Sequence, residues 1–305
     1  MRVRNFRAVA LLVAMMVSGA AGCEAAPAAA RTAQSKAAAK APVPPFQRPA
    51  ALMPAHRIVA YYGNPLSKRM GIMGALPPAK MLARLAEQAA EYQRADTLVT
   101  VLPALELIAT VAQASAGRDG MYRARIRDSV IESVARLADE KGYLLFLDVQ
   151  IGRSSLDKEV AGLIPFLRRP NVHLAIDPEF DMPKAGVPGK AIGTTDAAEI
   201  NGVIQTLADI VRQDSLPPKI LVIHRFTRRM VTNSARIAPD SLVQVVIHMD
   251  GFGPPSRKRV SYKAFVHDEP VQFAGFKLFY SKDRPLMSAA QVIGLDPTPH
   301  FITYQ

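Results

Sequence analysis

The sequence predicts an α/β protein whose mature part is a single (β/α)8 TIM-like barrel. Three observations carry that expectation. Segments that read as strands alternate with segments that read as helices seven times, and an eighth strand closes the series. The strands are nearly unbroken apolar runs, as parallel strands covered on both faces must be. The globular part is about 250 residues long, the size of such a barrel. A doubly wound open sheet is the alternative. The absence of a phosphate-binding glycine fingerprint after the first strand counts against it.

The chain has 305 residues, of which 49% are apolar and 21% charged, so it can bury a large core and is not disordered as a whole. Its formal net charge is +12. The basic residues are scattered over helices and loops, with only short clusters such as Arg228-Arg229 and Arg257-Lys258-Arg259. No nucleic-acid partner is therefore expected. An excess of Lys and Arg on an exported protein suits anionic envelope polymers or lipid headgroups, or is simply a solvated surface.

Residues 1–22 read as a signal peptide. Arg2, Arg4 and Arg7 precede the apolar run Ala8 to Val17, and the small residues Ser18 to Gly22 follow. The run is too short for a stable membrane span. The only cysteine, Cys23, stands where cleavage would fall, so no internal disulfide can form. This arrangement resembles a bacterial lipoprotein signal, although Ala20 stands where such signals usually carry Leu. The resemblance implies lipidation of Cys23 and an exported protein anchored to the cell membrane. Ordinary secretion, with cleavage between Ala25 and Ala30, is the alternative. Residues 23–54 are dominated by Ala and Pro, have no amphipathic period, and read as a tether. The barrel domain is expected over 55–305.

In that domain Arg57 to Tyr62 is the first strand, ended by Gly63-Asn64-Pro65, and a Gly- and Met-rich loop follows. Pro77-Pro78 opens a helix. Ala104 to Val111 is the second strand, before a helix expected from Met121 to Lys141 and stopped by Gly142. Tyr143 to Gln150 is the third strand, with a helix from Ser154 to about Arg168 after it. Val172 to Phe180 is the fourth. Thr195-Asp196 caps the next helix. Lys219 to His224 is the fifth strand, with a helix expected from Thr227 to Ile237. Leu242 to Asp250, Phe273 to Tyr280 and Phe301 to Gln305 complete the strands, separated by helices near Ser256 to Phe265 and Pro285 to Val292.

Side chains alternate along a strand, so parity assigns faces. Phe146, Asp148 and Gln150 share one face; so do His173, Ala175, Asp177 and Glu179, and so do Gln244, Val246, His248 and Asp250. Each opposite face is mostly apolar and should meet the helices. The polar faces should line the interior, with Asp148, Gln150, Asp177, Glu179, His224, His248 and Asp250 at the C-terminal rim, where barrel enzymes place their chemistry. Burying that many titratable groups is costly unless function needs them. His173, Glu106 and Lys277 read as structurally paired.

Asp177-Pro178-Glu179 on the fourth strand and Asp250 on the sixth resemble the chitinase-type glycoside hydrolases, which end the fourth strand in Asp-x-Glu. The resemblance implies Glu179 as proton donor, Asp177 as its orienting neighbour and Asp250 as stabiliser. It covers about ten residues. Two earlier aspartates of that pattern fall on Val172 and Ala175, and the chain has no tryptophan. Tyr61, Tyr62, Phe180, Phe252 or Tyr304 would then have to stack on a sugar. Asp148, Gln150, His224, His248, Tyr61 and Tyr62 are the expected substrate contacts. No cofactor is expected. A metal-assisted hydrolase using Asp148, Asp177, Glu179, His224, His248 and Asp250, and a non-catalytic binding protein, are the other readings. A Gly-x-Ser-x-Gly nucleophile is absent. As a whole the chain is similar to a group of exported bacterial lipoproteins that share phrases such as Ile58 to Pro65 and Leu147-Asp148-Val149-Gln150. That similarity implies location and fold rather than a reaction.

Overall fold

A computed structural model of the protein describes residues 51–305. The signal peptide of residues 1–22, Cys23 and most of the tether lie outside the described residues. Among the described residues no helix is long and apolar enough to cross a membrane.

Eight parallel strands form a closed barrel: β1 (His56–Gly63), β2 (Thr100–Ala112), β3 (Leu144–Val149), β4 (Val172–Ile176), β5 (Lys219–Arg225), β6 (Val243–Met249), β7 (Phe273–Leu278) and β8 (Phe301–Tyr304). Each strand pairs with its sequence neighbours, and β1 pairs with both β2 and β8, which shuts the ring. Around it lie α1 (Pro78–Ala95), α2 (Asp128–Lys141), α3 (Leu156–Ala161), α4 (Ile164–Leu167), α5 (Ala197–Asp214), α6 (Pro255–Tyr262) and α7 (Ala289–Ile293).

The helices follow from their sequences. In α1, Met81, Leu82, Leu85, Ala89 and Tyr92 recur at helical spacing and are buried. Gly142 ends α2 in the left-handed region at φ 65°, where a side chain would be strained. Asp196 caps α5 reciprocally: its carboxylate accepts from Ala198 N–H, and Glu199 accepts from Asp196 N–H.

Strand parity divides the core in two. Val59, Leu105, Leu147, Leu174, Ile223, Ile247 and Ile302 face outward and pack beneath the helices. Ile58, Ala60, Ala104, Phe146, Ala175, Ile220, Val222, Val246 and Phe301 fill the lower barrel interior. The expected inward face of each polar-tipped strand is thus the observed one. Met53 belongs to this inner cluster and is 2% exposed. Its N–H donates to Gln244 Oε1 at 3.1 Å and its carbonyl accepts from Gln244 Nε2 at 2.7 Å. The folded domain therefore begins before the boundary expected at 54.

Four expected helices differ. The one expected from Pro285 begins only at Ala289, where Ser288 caps it. The segment before Asp128 is not helical. Tyr122 sits at φ 52°, and Arg123–Arg125 pairs antiparallel with the end of β2. Arg123 and Arg125 both bind the buried carboxylate of Glu159, which fixes that path. The helix from Ser154 to Arg168 breaks into α3 and α4 around Gly162-Leu163. After β5 there is no α-helix, only the short 3-10 turns Arg228–Met230 and Ser234–Arg236 around a two-residue strand. Asn233 stands at φ 54°, and Thr232 and Asn233 both donate to Asp196 Oδ2, so this segment is tied to the cap of α5 instead of coiling.

Candidate active site

The upper barrel interior changes from apolar to charged. The inward side chains there are Tyr62 on β1, Glu106 on β2, Asp148 on β3, Asp177 after β4, His224 on β5, His248 on β6 with Asp250 just beyond it, Lys277 on β7 and Thr303 on β8. All are at most 7% exposed. Above them opens a cavity of about 790 Å³. Gln150, Asp177, Glu179, Asp250, Lys277 and Tyr62 form its floor, and Phe180, Phe226, Phe252 and Phe279 stand among its walls.

His224 is the hub beneath the floor. Its Nε2 lies 2.9 Å from Glu106 Oε1 and its Nδ1 3.1 Å from Asp250 Oδ2. Burial alone would drive the proton off this imidazole, but the two carboxylates hold its pKa well above the usual histidine value. Clamped between two carboxylates, His224 is thus held toward its protonated form. Burial alone would raise Asp250, yet the His224 bond and charge hold its carboxyl below the usual range. Next to His224, Asp148 accepts from Tyr62 Oη at 2.8 Å, and Gln150 donates to the same Tyr62 oxygen at 3.2 Å. Burial pushes Asp148 up to about 6, against the pull of His224.

Glu179 owes its position to a turn. Asp177 caps the 3-10 turn Pro178–Phe180, its Oδ1 accepting from Glu179 N–H at 3.1 Å. Gly193 packs onto that turn so closely that an added Cβ would sit 2.6 Å from Pro178 O and 2.4 Å from Asp181 O. Its N–H donates to Glu179 O at 2.6 Å. The bend at Pro178 thus leaves Glu179 half-buried in the cavity lining rather than turning it away. Burial, then the neighbouring charge of Asp250, raises the Glu179 pKa. Asp177 is raised well above the usual range, by burial first and then by Asp250, Asp148 and Glu179, against the pull of His224.

His248 sits one layer lower. Its Nε2 is 2.8 Å from Thr303 Oγ1, and burial, then the His224 charge, keeps it neutral by lowering its pKa far below 6.5. An added Cβ on Gly275 would lie 2.4 Å from His248 Nδ1, so only glycine admits this ring.

Of the residues expected to touch a substrate, Tyr62 and Gln150 line the cavity with Asp177, Glu179 and Asp250. Asp148, His224 and His248 lie beneath the floor, fully buried. Tyr61 is corrected. Successive residues of a strand face opposite ways, so with Tyr62 inward Tyr61 points outward into the helix-covered core, where its hydroxyl bonds Tyr280 at 2.9 Å. Tyr304 is corrected for the same reason; it stacks on Tyr280 and bonds Tyr92. Glu106 is paired as expected. Lys277 does more than pair: its Nζ lies 3.5 Å from the Tyr62 ring centroid and 4.0 Å from Asp250 Oδ2, at the cavity floor. Parity with Gly275 was the one signal for it.

Fold and site together define a parallel (β/α)8 barrel with a carboxyl- and lysine-bearing pocket at its C-terminal mouth. No protein-family model matches the sequence, and no curated protein does so either.

Proposed function

We propose that the chain is a glycoside hydrolase of the bacterial cell envelope, acting at this mouth on an envelope or extracellular glycan. Glu179 is the proton donor, Asp250 the ionised carboxylate that stabilises developing positive charge on the sugar, and Asp177 orients Glu179. One observation carries the reading. In a single cavity the pKa of Glu179 is raised and that of Asp250 is lowered, so the two carboxyls are pushed in opposite directions, Glu179 toward the acid and Asp250 toward the base. Such a split is what glycosidic bond cleavage needs. Lys277, over Tyr62 and beside Asp250, helps keep Asp250 charged. Phe180 and Phe252 offer the apolar faces that tryptophan usually supplies to a sugar ring.

A screen of envelope and extracellular glycans with wild type and Glu179→Gln tests this. The variant should lose about 10²- to 10⁴-fold in hydrolysis while still binding. Equal rates in both would end the acid assignment, and binding without hydrolysis in wild type would favour a non-catalytic glycan-binding protein. Location is tested separately: Cys23→Ser should move the protein from the membrane fraction to the soluble one.

A metal-assisted hydrolase is the second reading. Ligand atoms of Glu106, Asp148 and His224 lie within 4.8 Å of one another, close enough for a divalent cation to bridge. Glu106 Oε2 and Asp148 Oδ1 have no partner there. A cation would have to take His224 Nε2 from Glu106 Oε1. Elemental analysis of purified protein, repeated on Asp148→Asn, decides it: stoichiometric metal lost in the variant would replace the first reading.

A further inference from the structure

The cavity holds three carboxyl side chains, yet cations outnumber them. Arg69, Arg257, Lys277 and Lys282 line the same space, from the loop after β1, from α6, from β7, and from the loop after β7. Lys277 is matched to Asp250 at the floor. Arg69, Arg257 and Lys282 are exposed at the rim, and none of them pairs with a carboxylate among the described residues. With Glu179 and Asp177 both raised toward their neutral forms, Asp250 is the main anion left to face them.

Two of these rim cations, Arg257 and Lys282, stand next to built structure. Lys258 and Asp283, the immediate neighbours of Arg257 and Lys282, form a buried ion pair at 2.9 Å, each 1% exposed. Asp283 also accepts from Gly253 N–H and Phe279 N–H, both at 2.9 Å, and Lys258 donates to Gly251 O and Lys277 O. The start of α6 and the loop after β7 are thereby stapled together, with Arg257 and Lys282 beside the staple. Lys282 Nζ stands 4.5 Å from the ring centroid of Phe252, itself 52% exposed. An exposed aromatic ring beside fixed cations suits a sugar ring that carries negative charge.

We propose that the ligand of this cavity is an anionic glycan, its carboxylate or phosphate groups received by Arg69, Arg257 and Lys282 while the sugar ring packs on Phe252. The inference rests on the glycan reading above but not on catalysis. Cations without carboxylate partners favour anionic over neutral chains, because only an anionic chain supplies the missing counter-charge.

Titration calorimetry on the Glu179→Gln protein, which should not turn over its ligand, gives the test. Three probes are compared: a neutral N-acetylglucosamine oligomer, a galacturonate oligomer and a phosphate-bearing mannose oligomer. At least one anionic probe should bind about tenfold or more tighter than the neutral one, and added salt should weaken it. The anion preferred tells carboxylate from phosphate. The triple variant Arg69→Ser/Arg257→Ser/Lys282→Ser should lose about that tenfold. A control, Arg228→Ser/Arg229→Ser/Arg236→Ser, removes equal charge from a groove outside the cavity and should bind as before. Equal affinity for the neutral probe, no binding by any probe, or equal losses in both triple variants would overturn the proposal. Anionic binding without hydrolysis by wild type would sink the hydrolase reading alone.

Discussion

The two ends of the barrel bury polar groups in opposite ways. At the N-terminal end the chain satisfies them itself. Lys219 Nζ donates to Arg169 O and Val172 O at 2.5 and 2.9 Å, Gln244 clasps both backbone groups of Met53, and Arg57 donates to Pro299 O and Asp96. What is left over there is one Arg57 nitrogen and His173 Nε2, on a ring that burial keeps neutral. At the C-terminal end Glu106, Asp148 and Asp250 each keep a carboxylate oxygen with no partner. An unpaired buried oxygen costs about 1–3 kcal/mol. A fold that leaves three carboxylate oxygens unpaired at one end, and at the other only one guanidinium nitrogen and one nitrogen of a neutral ring, keeps the first end for something outside itself.

The sharpest way to break this contrast is at the hub. His224→Ala strips Glu106 and Asp250 of their shared cation. Removing one partner of a buried charge pair costs about 3–5 kcal/mol, so the variant should unfold at much lower denaturant. The pH dependence follows from the directions of the shifts. The folded value of His224 is raised, so its contribution is full below about pH 6.5 and is lost as pH rises through the raised value. Asp250 is lowered, so its contribution is present above about pH 3.8 and is lost as pH falls through the lowered value. The deficit of the variant should therefore be largest between those limits and shrink on both sides. A deficit that does not change with pH would mean that the clamp is packing, not charge.

One layer down, Gly275→Ala sharpens the same point. The added Cβ would meet His248 Nδ1 at 2.4 Å and Val246 Cγ1 at 2.9 Å. Overpacking of this kind costs about 1–3 kcal/mol. Thermal unfolding should fall accordingly, and the Val246→Ala background should recover part of the loss. No change in stability would show that the histidine layer yields freely.

Period-two alternation made the eight strands and their inward faces legible, because a one-residue slip would have turned every core residue outward. It also placed Asp177, His224, His248 and Asp250 together before any contact was known. The same rule could have removed Tyr61, since Tyr61 and Tyr62 cannot both face inward. Glu179 was harder, because Pro178 ends the strand and parity stops there; the Asp177 cap and the close approach of Gly193 decide its direction. Arg69 and Lys282 lie on loops, which carry no period, Arg257 lies in α6, whose buried positions are Lys258 and Tyr262 and form no apolar stripe, and the Lys258–Asp283 staple joins residues far apart in the sequence. A local helical preference is expected over Thr227 to Ile237, yet no α-helix forms there. The hydrogen bonds of this segment to Asp196, more than thirty residues away, outweigh that local preference.

The smallest effect belongs to the other end, and it tests whether polar groups there are only structural. Burial drives Lys219 down from 10.5 to about 7. A lysine lowered in this way costs stability as pH falls from its unfolded value to its folded one, because the unfolded chain takes up the proton first. Lys219→Met removes that cost but leaves Arg169 O and Val172 O without their donor, which itself costs about 1–3 kcal/mol. Near pH 7 the two effects oppose each other, and the net change should stay within about 1 kcal/mol. As pH rises toward 10.5 the unfolded amine also begins to lose its proton, so that cost shrinks, the lost hydrogen bonds count for more, and the variant should lose stability relative to wild type between pH 7 and pH 9.5. Denaturant midpoints at pH 7 and pH 9.5 read this directly, and hydrolysis should be unaffected at either pH. A loss of activity in Lys219→Met, with stability held, would mean that the two ends of the barrel are coupled and that the contrast between them is wrong.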